Sequence, residues 1–172
     1  MIDHEHYMRR AIELAAKVPD LPFAAVIVDS DSGAILAEGW NKTSIHPTWH
    51  GEIHAINELA SSGSTFNSKV LALYTTAEPC PVCQGAILWS GIQSVVYGTS
   101  IRSLQRRGWR QIDIPAAEVI RRSPTWNCTL IGGVLGQECD ALFGIRDTHA
   151  GEESNNGARR EKRGKFVGEG RK

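Results

Sequence analysis

The spacing of apolar positions changes along this chain, and the changes mark its elements. Between residues 3 and 18, Met8, Ala11, Ile12 and Ala15 recur three and four apart, which predicts an amphipathic helix. Asp3 can cap its start, and Pro19 and Pro22 end it. Residues 23–28 (FAAVIV) and 70–76 (VLALYTT) are instead near-continuous apolar runs, as in strands covered on both faces. Asp29 to Gly33 is turn chemistry, so 34–40 returns as the second strand of a hairpin. A helix is predicted over 50–60, with Thr48 as cap and Ile53, Ile56 and Leu59 or Ala60 on its buried face. Another over 80–90 starts after Pro79, buries Val82, Ala86, Ile87 and Trp89, and stops at Gly91. Strands at 95–98 and 129–131 flank a short helix at 115–122 that faces Val119 and Ile120 inward. A helix joining two strands of one sheet forms a right-handed crossover, so the fourth and fifth strands should be parallel. The last helix spans 135–143, with Cys139 as a small core residue.

Composition adds boundaries to this pattern. From residue 149 apolar side chains almost vanish, so 149–172 is expected to be a disordered charged tail and 1–148 a single domain. Nineteen basic residues balance nineteen acidic ones, so no global field draws the chain to nucleic acid or a membrane. No run reaches membrane-spanning length and no leader pattern opens the chain; with only four cysteines, a cytoplasmic protein with reduced thiols is expected. Residues 102–111 are basic around Trp109. They read as a solvated loop whose tryptophan packs on the core or a partner. The alternative is a platform that tracks phosphates and stacks a base.

The chemistry lies in two short stretches, His50-Gly51-Glu52 and Pro79-Cys80-Pro81-Val82-Cys83. Cysteines three apart on one helical turn face the same way, so Cys80 and Cys83 can grip one ion, with His50 as third ligand. No fourth ligand is evident, and catalytic zinc keeps an open position where structural zinc is closed. Glu52 lies where a carboxylate could move protons at that position. His54, one turn beyond His50, offers the alternative of a closed four-ligand site, which would leave Glu52 without a task. His4 and His6 read as solvated. Asn41 is a loop residue at a strand end, either an Asx-turn residue or a donor and acceptor for a base edge.

H-x-E with P-C-x-x-C is the signature of the zinc nucleobase deaminases, and over about residues 7–145 the chain resembles the cytidine-deaminase-like superfamily. Pro22-Phe23, Gly39-Trp40-Asn41, Pro47-Thr48, Thr76-Ala77-Glu78-Pro79-Cys80, and Gly133-Val134-Leu135 with Glu138-Cys139 are similar to that family as well. The resemblance implies a three-layer α/β/α fold with a five-stranded mixed sheet. It implies one Zn²⁺ per chain on His50, Cys80 and Cys83, Glu52 as catalytic acid–base, and Asn41, Phe23, Ala25 and Trp49 as substrate contacts. The parallel fourth and fifth strands resemble the guanine, fungal cytosine and tRNA-adenosine deaminases. A homodimer acting on a guanine- or cytosine-like free base is therefore expected. The alternatives are a tRNA adenosine-to-inosine deaminase and a non-catalytic zinc-stabilised interaction domain. Ala24, Trp49 and His46 depart from residues common in the relatives, and the segment from Ser100 to Arg110 matches neither the tRNA enzymes' segment nor the guanine enzymes'.

Overall fold

A computed structural model describes residues 2–63 and 70–146, so the tail expected at 149–172 lies outside the described residues. The elements are α1 (His4–Ala15), β1 (Ala24–Asp29), β2 (Ile35–Trp40), α2 (Gly51–Ser61), β3 (Leu71–Ala77), α3 (Pro81–Trp89), β4 (Ser94–Thr99), α4 (Ile101–Arg106), α5 (Ala116–Arg121), β5 (Thr129–Gly132) and α6 (Gly136–Leu142). The five strands form one sheet in the order β2-β1-β3-β4-β5. β1 is antiparallel to both β2 and β3, while β3–β4 and β4–β5 are parallel. The fourth and fifth strands are thus parallel, as expected.

The unbroken apolar runs follow from burial on both faces. Along β1, Ala24, Val26 and Val28 join Met8, Ala11, Leu14 and Ala15 of α1, whereas Ala25 and Ile27 join Ala55 and Leu59 of α2. β3 alternates in the same way, with Ala72 and Tyr74 on the α1 side and Leu71 and Leu73 on the other. Successive strand side chains point to opposite faces, so a strand between two helical layers needs apolar residues throughout. Among the described residues no helix is long and apolar enough to cross a membrane.

Close approach fixes one helix layer. A Cβ on Gly39 would collide with the backbone of Ala55 and Gly51, because α2 lies directly on β2 there. Gly39→Ala should cost about 1–3 kcal/mol, the usual range for overpacking a core. Equilibrium denaturation checks this, and a wild-type midpoint would contradict the contact.

Three expectations are corrected. Val82 and Trp89 point outward, 52% and 79% exposed; α3 buries Ile87 as expected, together with Cys83, Gln84 and Leu88. Residues 101–106 form a helix rather than a loop, capped by the Ser100 hydroxyl, which accepts from the Ser103 amide at 3.1 Å. On α5 only Ala116 is fully buried, and Val119 and Ile120 are half-buried.

Candidate active site

Because β2 and β3 both run against β1, their carboxyl ends open on the same edge of the sheet, joined there by the end of β4. Both chemistry-bearing stretches follow those ends, where open α/β sheets place their sites. α2 reaches the edge through Gly51, where a Cβ would stand 2.8 Å from the Phe23 carbonyl oxygen and 2.9 Å from the Ala24 Cα. His50 and Glu52 flank that contact.

His50 and Cys80 occupy equivalent places. Each is the residue before its helix, with extended backbone (φ −68°, ψ 166° and φ −63°, ψ 164°), and neither side chain caps the helix. The imidazole and the thiol are thereby left for another partner. Thr48 is not the cap expected from the sequence; its hydroxyl pairs with His46 Nδ1 at 3.0 Å. His50 Nδ1 lies 3.6 Å from Cys80 Sγ and 3.5 Å from Cys83 Sγ, and the two sulfurs are 3.6 Å apart. Among the described residues this is the only cluster of metal-ligating side chains. Two sulfurs and an imidazole nitrogen suit zinc, and the absence of a fourth protein ligand in the cluster leaves a position for water.

The clustered groups perturb one another. The hydrogen bond with Cys83, and secondarily the bond with His50, bring the Cys80 thiol down to about 4 against the opposing effect of burial. The same bond, together with burial, holds Cys83 well above the usual thiol range. His50 is raised mainly by its bond to Cys80. Glu52, 4% exposed, is pushed up to about 7 by burial and then by the Cys80 charge. A carboxyl poised there can both take and return a proton near neutral pH.

His54 is committed elsewhere. The Trp40 amide donates to its Nδ1 at 3.0 Å and its Nε2 lies 3.3 Å from Glu58 Oε1, so it ties α2 to the end of β2. It is 4% exposed. That excludes it from the metal cluster and removes the four-ligand alternative. Asn41, one residue further, adopts the Asx-turn geometry: its Oδ1 accepts from the Thr43 amide at 3.0 Å and the Thr43 hydroxyl at 2.8 Å. Both contacts fix the oxygen, so Nδ2 is left as a donor with no partner among the described residues. The Asn41 amide donates to the Phe23 carbonyl at 2.9 Å and the Lys42 amide to that of Trp49 at 2.8 Å, closing the loop between them. Trp49 and Phe23 are half-buried, the latter against Trp109 and Phe143 at ring separations of 5.5 and 5.0 Å. Ala25, in contrast, is fully buried in the core under α2 and presents no exposed side-chain surface.

The cytidine and deoxycytidylate deaminase zinc-binding region matches residues 1–99, more than half of the 172. The chain belongs to this family. A guanine deaminase of Bacillus subtilis is 36% identical to this deaminase over 141 residues, covering 75% of this chain and 88% of its own. A tRNA-specific adenosine deaminase of Haemophilus influenzae is 42% identical over 101 residues, covering 56% of this chain and 58% of its own. A solved guanine deaminase from Nitrosomonas europaea superposes with a TM-score of 0.73 at 25% identity, covering 83% of this chain and 84% of that one. The deaminase is thus a zinc-dependent hydrolase of C–N bonds, with His50, Cys80 and Cys83 positioned for the ion.

Proposed function

We propose that the enzyme hydrolytically deaminates a free aminated nucleobase, guanine- or cytosine-like. The observation that carries this reading over a tRNA substrate is the state of Trp109. It is 7% exposed, in T-shaped contact with the rings of Phe23 and Phe143 and with the Arg146 guanidinium 3.5 Å from its centroid, so it is not free to stack on a flanking base. Beside it Arg107 is paired with Asp140 at 3.4 Å. The coverage of the Bacillus guanine deaminase, longer than that of the Haemophilus tRNA enzyme, supports the same side. The 42% identity to the latter keeps adenosine in tRNA as the second reading.

In the mechanism His50, Cys80 and Cys83 would hold zinc, whose Lewis acidity would supply a nucleophilic water near neutral pH. Glu52 takes a proton from the nucleophilic water and delivers it to the ring nitrogen beside the amino-bearing carbon. It then carries the second proton to the departing amine, so water and an amidine-like carbon yield a carbonyl and ammonia. Asn41 orients the base through Nδ2, which requires an acceptor on the base edge, a carbonyl oxygen or an unprotonated ring nitrogen. Phe23 and Trp49 flank that edge, and Ala25 lies beneath it in the core.

A screen of aminated heterocycles for ammonia release tests the reading. Turnover of a free base should change less than about twofold between low and physiological salt, since no phosphates are engaged. Turnover only on an anticodon stem-loop, suppressed by salt and by replacing Arg106 and Arg110, would transfer the case to tRNA.

The expected homodimer is proposed through the outer face of α3. Trp89 meets Trp126 edge-on at 4.9 Å and stands with Val82 in solvent; aromatic residues are enriched in such interfaces. Sedimentation should give a dimer at micromolar concentration, converted to monomer by Trp89→Glu. A wild-type monomer would reject it.

A further inference from the structure

Glu78, two residues before Cys80, is a carboxylate only 7% exposed. Its backbone amide donates to the Thr99 carbonyl at 2.7 Å, which seats it between the ends of β3 and β4. Its two oxygens are divided between two helices. Oε2 accepts from the amide of Ile101, the first residue of α4, at 2.9 Å. Oε1 accepts from the amide of Ala116, the first residue of α5, also at 2.9 Å. Helix starts carry unsatisfied N–H groups and a partial positive charge, so one carboxylate can hold two of them together.

What those helices support reaches the site. α5 packs against α3, the helix that contains Cys83. α4 contributes Leu104, and the turn after it Trp109, to a cluster with Ala77, Phe143, Leu21 and Phe23. Phe23 in turn accepts from the Asn41 amide through its carbonyl, and its backbone abuts Gly51 between His50 and Glu52.

We infer that Glu78 is a positioning residue: its carboxylate pins α4 and α5 to the loop bearing Cys80 and thereby holds the Phe23–Asn41 side of the site in place for substrate. The inference rests on the reading of Phe23 and Asn41 as substrate contacts. It gives the segment from Ser100 to Arg110, whose sequence resembles neither the tRNA nor the guanine deaminases' segment, the task of backing the pocket.

Glu78→Gln keeps the side-chain shape but turns one acceptor into a donor, so one buried N–H loses its partner. Zinc content should stay at one per chain. Amide exchange at the first turns of α4 and α5 should accelerate about tenfold or more, because local opening of those turns becomes easier. On the base identified by the ammonia screen, KM should rise about tenfold with kcat within about threefold, the pattern of lost ground-state and transition-state binding together. Unchanged exchange overturns the inference, as does zinc lost in parallel with activity or a fall in kcat alone. Exchange needs no substrate: if every free base fails in the screen, the proposed function falls, and protection at Ile101 and Ala116 still decides the clamp. Should Glu78→Gln not fold, Glu78→Asp, which keeps the charge on a shorter arm, is carried through the same measurements.

Discussion

Replacing Glu52 with glutamine leaves zinc content and the circular dichroism spectrum unchanged and lowers turnover by more than the roughly 10²–10⁴-fold typical of one general acid–base step. The expectation exceeds that range because a single carboxylate serves both the water and the departing amine. No other carboxylate takes over: Glu78 has both oxygens bound to helix amides, and Glu58 faces His54 from an exposed position. Glutamine fills the same buried space and removes only the ability to carry the proton. Steady-state kinetics beside metal analysis settles it, and activity within about tenfold of wild type would remove Glu52 from the mechanism.

Cys83→Ala should abolish both bound zinc and activity, while His54→Ala should keep the metal. Cys83 is fully buried, and its sulfur stands 3.5 Å from His50 Nδ1 and 3.6 Å from Cys80 Sγ, so its loss leaves two ligands where three converge. Metal bound only by the folded state stabilises it by about 4 kcal/mol at a thousandfold excess over its dissociation constant. In a chain of this size that corresponds to about 8–16 °C in melting temperature. A chelator should therefore lower the melting temperature of the wild type by such an amount and leave that of Cys83→Ala where it is. Zinc lost from His54→Ala would mean that the closed, four-ligand arrangement is the true one.

The sequence reveals the ligands readily because metal chemistry restricts residue type and spacing together. The strands are equally legible, since burial on both faces forces an unbroken apolar run. Misreadings occur where a distant partner decides. Periodicity assigns Val82 and Trp89 to the core, yet Cys80 and Cys83 fix the rotation of α3 about the metal site and turn those two outward. α4 has few apolar residues, and its start is set partly by Glu78, far back in the chain. His54 looks like a surface histidine until Trp40 is brought against it. Asn41 illustrates a choice that geometry dissolves: the turn uses its oxygen and leaves its amide hydrogens for a ligand.

The wall behind Phe23 is closed by residues 143–146, far from it in sequence. Phe143 packs on Phe23, Gly144 accepts from the Trp109 indole at 2.9 Å, and the Arg146 amide donates to the Arg107 carbonyl at 2.8 Å. The metal ligands, by contrast, are complete at Cys83. Chains are made from the amino end at about 5–20 residues per second, so a growing chain emerges with all three ligands seconds before it has the means to cover Phe23 and Trp109. During vectorial synthesis the apolar side of the pocket is sheltered only once residues 143–146 have been made. A ribosome stalled in α6 would hold a nascent chain with its zinc ligands already made and the Phe23 ring still without its Phe143 cover.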